Sequence, residues 1–151
     1  MTAFRLSVVI VALVLASTVT ASAQETSAAA GRIKIASGSA FVVRQNALLP
    51  AQAGDVVFEN DGLKTGADGR LGITLKDDTR VSLGPDSEAR IDRFVYVPSE
   101  GRLGFVFKLA RGVAAYVSGQ IAKLSPDAIR LETPAAIVGV RGTSLAIRAE
   151  P

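Results

Sequence analysis

Apolar side chains recur at every second position along several stretches of the chain. In RLGITLK, Leu71, Ile73 and Leu75 alternate with small or polar residues. The same alternation runs through RLGFVFKLA, residues 102–110. The shorter alternating pairs are Ile33 with Ile35 and Val81 with Leu83. A period of two puts one face of a strand in a core and the other in water, as in an antiparallel sheet.

Turn-forming residues separate these alternating stretches. The segments ENDG, GADG, KDDT, LGPDS and VPSEG combine Gly, Pro, Asn and Asp, which favour tight turns. The clearest unit is a hairpin over residues 69–83, with its turn at Asp77 and Asp78. Short strands at such spacing predict an all-β fold. We expect an antiparallel two-sheet sandwich or a jelly-roll-like stack of short hairpins, in a single domain after a signal peptide.

The stretch GVAAYVSGQIAKLSP, residues 112–126, fits two structures. Its apolar residues fit helical spacing, but Gly119 disfavours a helix interior. The strand interpretation places Val113, Ala115 and Val117 on one face. We expect a strand followed by a loop, with a short helix as the alternative.

The N-terminus has the features of an export signal. Arg5 precedes an apolar stretch over residues 6–16, and Ala21-Ser22-Ala23 offers a cleavage site. The stretch is shorter than the roughly 20 apolar residues of a membrane span. We therefore predict a signal peptide at residues 1–23, a disordered lead-in at 24–31 and the β domain at 32–149. The expected location is periplasmic or secreted, without stable membrane insertion after cleavage.

The amino-acid composition excludes several classes of function. The chain has no histidine and no cysteine, which excludes Ser-His-Asp triads, cysteine nucleophiles and ordinary zinc sites. Most carboxylates stand beside Gly, Asn, Thr or Pro, as is typical of turns. The 17 basic and 14 acidic residues are interspersed, which gives nucleic-acid binding little support. We expect no enzymatic activity, no catalytic residues, no metal and no cofactor.

Two turns carry polar residues that could contact a partner. Asp77 and Asp78 occupy one turn, and Asn60 and Asp61 occupy another. We expect both to be exposed loop tips. The binding interpretation of Asp77 and Asp78 stands beside the simpler one, in which they only shape the turn.

One arginine, Arg141, lies within the apolar run TPAAIVGVRGTSLAI, between Gly139 and Gly142. In the structural interpretation its five donors bond the backbone of a turn, the glycines allow close approach or positive φ, and Thr143 caps the turn. In the functional interpretation Arg141, Gly142 and Thr143 bind a partner's carboxylate. The structural interpretation is favoured because it explains both glycines.

Parity indicates which way the Arg141 side chain points. Val138 and Val140 share one face of the strand, and Arg141 lies on the other with Ile137. Arg141 should therefore face outward or an edge. Under the structural interpretation, Arg141→Lys should destabilise the domain.

The order of these motifs resembles the FecR-like domain. The matching elements are Gly54-Asp55, Thr65-Gly66 with Asp68-Gly69, the Asp77-Asp78 hairpin, Leu83-Gly84-Pro85, Gly112, and Thr133-Pro134 with Arg141-Gly142-Thr143. The resemblance implies an all-β periplasmic domain without catalytic activity. The best-known members cross the inner membrane and relay an iron-uptake signal to a sigma factor. We expect no sigma-factor-binding segment within residues 1–151.

Two functions fit these expectations. The first is an exported module that binds another envelope or periplasmic protein, in envelope signalling or regulation. The alternative is a module that binds glycan or cell wall, although the chain has no tryptophan and only two tyrosines.

Overall fold

The computed structural model describes residues 28–142 and 144–150. The predicted signal peptide lies outside these residues and stays a prediction. The described ranges form twelve strands, one α-helix and two 3₁₀ helices, at Pro98–Glu100 and Pro126–Ala128. The other bounds are β1 Ala29–Ser37, β2 Ala40–Arg44, β3 Ala47–Pro50, β4 Val56–Phe58, β5 Gly62–Thr65, β6 Arg70–Leu75, β7 Arg80–Leu83, β8 Glu88–Val97, β9 Arg102–Val117, α1 Gln120–Leu124, β10 Ile129–Glu132, β11 Ile137–Gly139 and β12 Ser144–Ala149.

All twelve strands of the described ranges belong to one hydrogen-bonded sheet, and β9 is its centre. The first half of β9 pairs with β8 on one side and, in parallel, with β10 on the other. The second half pairs with β7 and β12. Strands from both halves contribute to one buried cluster, so the sheet curls around a single core.

The prediction of an all-β fold is confirmed. The sheet is mostly antiparallel, as predicted, but β9 and β10 pair in parallel. The prediction of a two-sheet sandwich is not confirmed, because β9 runs unbroken from one half of the sheet to the other. β1 begins at Ala29, ahead of the predicted domain start at residue 32.

Strand β9 changes its buried face partway along. Phe107 and Leu109 are buried, whereas after Gly112 it is Ala114 and Tyr116 that are buried. The pairing with β8 skips Ala110, which makes a β-bulge. Because a bulge shifts the side-chain parity by one, an unbroken strand lines both halves of the core.

The predicted hairpin over residues 69–83 is confirmed. Strands β6 and β7 pair antiparallel, with Leu71 opposite Leu83 and Ile73 opposite Val81, all four of them buried. The expectation that Ile33 and Ile35 share a buried face is wrong. Ile35 is 60% exposed, because the register of β1 against β6 shifts between these two residues.

The ambiguous stretch after Gly112 contains both predicted elements. Strand β9 continues to Val117, and α1 follows directly after Gly119. The strand interpretation is therefore right up to Val117, and the alternative of a short helix is right after it. Val113 and Ala115 do share a face, but that face is exposed, since the bulge has inverted the parity. In the described part of the chain, no helix is long and apolar enough to span a bilayer.

Candidate functional site

Asp77 lies in the turn between β6 and β7, and its side chain points inward. The residue is 0% exposed. Its carboxylate accepts hydrogen bonds from Oγ1 of Thr79 at 2.7 Å, from the Thr79 amide at 3.2 Å and from the Ile121 amide at 3.2 Å. The last bond caps the first turn of α1. The expectation of an exposed tip is therefore wrong for Asp77.

Gly119 makes this arrangement possible. A Cβ atom at this position would overlap the carbonyl oxygen of Asp77 and the amide nitrogen of Thr79. The Asp77 carbonyl also accepts a hydrogen bond from the amide of Gln120 at 2.7 Å. The turn and the start of α1 are thus bonded together through buried contacts.

Asp78, the other residue of the turn, is exposed. Its φ of 67° lies in the left-handed region, which Asp tolerates better than most residues. It borders a shallow cleft of about 300 Å³, also lined by Arg32, Lys34 and Lys76. A contact role for Asp78 stays a prediction.

In the turn at Asn60 and Asp61, too, one residue is exposed and the other is buried. Asn60 is exposed, with a φ of 71°, whereas Asp61 is 2% exposed. Nε and Nη2 of Arg44 donate to the two Asp61 oxygens, at 2.9 and 2.8 Å. The hydrogen bond to Asp61 raises the pKa of Arg44, while burial acts in the opposite direction. The expectation of exposure is wrong for Asp61.

A buried polar cluster around Thr65 and Ser87 brings together three of the sequence motifs, namely Thr65-Gly66, Leu83-Gly84-Pro85 and Gly112. Oγ1 of Thr65 donates to the Gly84 carbonyl at 2.6 Å and accepts from the Ser87 amide at 3.0 Å. Oγ of Ser87 accepts from the Val113 amide at 3.0 Å, beside the bulge of β9. Gly112 has a φ of 93°, and a Cβ there would overlap Ser87. These contacts therefore stabilise β9 next to its bulge.

Arg141 lies in the crossover from β11 to β12, residues 140–142. As parity predicts, Arg141 is exposed and Val140 is 5% exposed. Ile137, on the same face as Arg141, is 68% exposed. Two shallow clefts, of about 410 and 380 Å³, share Pro126, Asp127, Val140 and Arg141 as lining residues. We call the surface formed by Asp127, Ile137 and Arg141 the Arg141 surface.

Arg141 makes none of the internal bonds expected of a structural arginine with the part of the chain that the structure describes. Within residues 28–142 and 144–150, the Arg141 side chain makes no hydrogen bond and no ion pair. Gly139 does not have a positive φ, and no atom of the described residues lies within 4 Å of a Cβ added there, so none of those residues requires glycine at this position. Gly142 does have a positive φ, 135°, and its carbonyl accepts a hydrogen bond from Oγ of Ser118 at 2.6 Å. Thr143 lies outside the described residues.

The sequence predicted one neighbour of Arg141 in the Arg141 surface and missed another. Parity placed Ile137 on the same face as Arg141, and Ile137 is indeed exposed. Asp127 belongs to a separate 3₁₀ helix, and nothing in the sequence links it to residue 141. The two clefts are lined by an arginine, a carboxylate and apolar side chains. This combination suits binding of a partner surface that carries both charged and apolar groups.

A charged network covers the outer face of β8, β9 and β10. Arg90 and Lys108 lie opposite each other across β8 and β9, and Asp92 bonds to both, at 2.5 Å to Arg90 and 2.8 Å to Lys108. Burial raises the pKa of the Asp92 carboxyl, but the hydrogen bonds from Lys108 and Arg90 outweigh it and leave the pKa below its ordinary value. The shared carboxylate offsets the repulsion between the two cations.

Comparison with protein-family models finds a match over residues 61–151, to the family described as FecR protein. This range covers the hairpin, the Thr65 and Ser87 cluster, α1 and the Arg141 surface. Searches of curated proteins and of solved structures returned no significant match.

Proposed function

The chain belongs to the FecR protein family, and on that premise we propose that it is a non-catalytic envelope module that binds another envelope protein through the Arg141 surface. FecR proteins are regulators of cell-envelope signalling and are in general not enzymes. The partner is a protein that presents a carboxylate to Arg141 and apolar side chains to Ile137.

The observation that carries this proposal is the contrast between Arg141 and three buried polar residues of the same domain. Asp77, Thr65 and Ser87 are fully engaged by buried internal bonds. Arg141 is exposed beside Ile137 and makes no such bond within the described ranges. A guanidinium whose donors bond no described residue, next to exposed apolar area, suits recognition of a partner's carboxylate.

Photocrosslinking of the full chain in living cells identifies the partner. A photoreactive residue replaces Ile137 in one variant and Arg102, an exposed residue at the start of β9, in the control. We expect one envelope protein to be crosslinked from position 137 and not from 102. Equal crosslinking from both positions, or none from 137, would overturn the proposal.

Binding to the identified partner then tests the arginine itself. Loss of one charge-assisted hydrogen bond lowers affinity by about tenfold to a hundredfold. We expect that loss in Arg141→Ala and a partial loss in Arg141→Lys, whose point charge cannot form the planar fork. The matched control Arg102→Ala removes an exposed arginine that pairs with Glu100 at 3.5 Å, and it should bind like the parent.

The proposed location is outside the cytoplasm, after cleavage following Ala23. Cell fractionation with mass spectrometry of the N-terminus checks this step. We expect a mature chain that starts at Gln24 in the periplasmic or secreted fraction. An uncleaved chain in the cytoplasmic fraction would contradict it.

A groove with both polar and apolar lining residues supports a second candidate function, glycan binding. The groove has a volume of about 510 Å³. Its polar lining residues include Gln45, Asn46, Asn60 and Glu88, and they lie among apolar residues such as Val43 and Leu63. Amide and charged groups of this kind can bond sugar hydroxyls. Cosedimentation with purified peptidoglycan tests it, with Asn46→Ala as the variant. A chain that stays in the supernatant would exclude this candidate.

A further inference from the structure

Four strands lie at the edges of the sheet, namely β3, β4, β11 and β12. Each of them pairs with a single neighbour among the described residues. A free edge exposes backbone donors and acceptors that can pair with another strand, and proteins commonly protect such edges. The four edges differ in that protection.

Three of the edges are short or interrupted. β4 and β11 have three residues each, and β3 has four and ends at Pro50, which lacks an amide donor. β12 has six residues, no proline, and an unbroken register against β9. It is thus the least protected edge in the described part of the chain.

The hydrogen bonds of β9 show which groups β12 presents outward. The carbonyl of Val113 accepts from Gly84, on the β7 side of β9. Backbone groups alternate sides along a strand, so Ala114 and Tyr116 point to β12, where Ile147 and Leu145 are their partners. The amide and carbonyl groups of Ser144, Ala146 and Arg148 therefore point to the free edge.

The side chains of β12 alternate as well. Leu145 and Ile147 are partly buried and pack against the core, while Ser144, Ala146 and Arg148 are exposed. An added strand would bond the three outward-pointing residues and cover the remaining exposed area of Leu145 and Ile147. The edge thus offers both backbone pairing and partly exposed apolar side chains.

We infer that a second copy of this chain binds at the β12 edge. The two β12 strands pair antiparallel, and the pairing is centred on Ala146. This register places Ala146 opposite Ala146 of the second copy. Leu145 then faces the copy's Ile147, and Ser144 faces the copy's Arg148. Apolar residues meet apolar ones, and no like charges lie opposite each other, so the strand is complementary to itself.

The register can be tested by crosslinking a single introduced cysteine, because the chain contains no cysteine of its own. Directly opposed residues of a hydrogen-bonded antiparallel pair have Cα atoms about 5.5 Å apart, which is within disulfide range. Ala146→Cys should be linked into a dimer by mild oxidation or by a short bis-maleimide. Ser144→Cys is the matched control, since its copy lies four residues away, and it should stay unlinked.

Sedimentation of the full chain over a range of concentrations tests the dimer itself. We expect a reversible dimer whose dissociation constant rises at least about tenfold in Ala146→Pro, which removes one edge-facing donor per copy. Ala146→Val keeps the amide and should dimerise like the parent, and circular dichroism checks that each variant is folded.

A parent chain that stays monomeric throughout would overturn the inference. So would a dimer that Ala146→Pro leaves unchanged, or equal linking of both cysteine variants. The outcome is independent of the Arg141 surface, because Arg141→Ala leaves β12 intact and should dimerise like the parent.

Discussion

The Asp77 turn and the Arg141 crossover both connect two strands but have different environments. Each places a charged residue near a threonine and a turn. The Asp77 carboxylate is buried and accepts three hydrogen bonds, one of them from α1. The Arg141 guanidinium is exposed, and no residue of ranges 28–142 and 144–150 bonds to it. The same sequence signal thus marks an internal bonding point in one region and an open surface in the other.

The difference arises from what packs against each turn. The β6–β7 turn is covered by the segment that leads from β9 into α1, so a carboxylate there meets backbone amides. The crossover lies at the rim, where β11 and β12 are both edge strands. Burial of a polar side chain is therefore decided by tertiary packing and not by turn chemistry.

The largest effect is expected from Gly119→Ala. The added methyl group overlaps backbone atoms of Asp77 and Thr79, which cannot move independently of the hairpin. We expect a loss of about 3 kcal/mol or more in the free energy of unfolding, measured by denaturant titration. The control is Gly139→Ala, whose added methyl group meets no atom of the described chain within 4 Å and which should stay within about 0.5 kcal/mol of the parent. Equal losses would contradict the packing described.

Asp77→Ala should come next. It leaves Oγ1 of Thr79 and the amide of Ile121 without their acceptor in a buried site, at a cost of about 2–3 kcal/mol. Asp78→Asn changes the exposed neighbour and keeps a residue that tolerates positive φ, so its effect should be below about 0.5 kcal/mol. Thermal and denaturant unfolding compare the two. If Asp78→Asn were the more damaging, the assignment of the structural aspartate would be wrong.

Asp92 is intermediate between these regions, since its carboxylate is mostly buried while Arg90 and Lys108 are about half exposed. Its lowered pKa means that its contribution is present above the unfolded-state pKa, near 3.8, and is lost as pH falls through the lower folded-state value. Asp92→Asn should cost about 1 kcal/mol at pH 7. This difference from the parent should shrink below about pH 4. Glu100→Gln, which alters an exposed pair, serves as the control, and a difference that grew in acid would contradict the network.

The strand pattern was predictable wherever the register is regular. Leu71 and Ile73 are buried as the period of two predicts, and the same rule correctly placed Arg141 outward. It failed at Ile35 and beyond Ala110, because in each place a bulge shifts the parity by one residue. A bulge depends on the neighbouring strand, so a single sequence does not display it.

The roles of the two aspartate turns were not predictable for a related reason. The bond from Ile121 to Asp77 joins residues 44 positions apart, and the ion pair from Arg44 to Asp61 joins residues 17 apart. Turn chemistry identified both segments as turns but not the direction of each carboxylate. The Asp127 component of the Arg141 surface is hidden in the same way.

The smallest expected effect tests the central claim, that Arg141 serves recognition and not the stability of the fold. The measurement is the free energy of unfolding of Arg141→Ala and Arg141→Lys, by denaturant titration at neutral pH. We predict that both stay within about 0.5 kcal/mol of the parent, because no described residue loses a bond. A loss of about 2 kcal/mol or more in both variants would show that the arginine holds the crossover together, and would contradict a role in recognition alone.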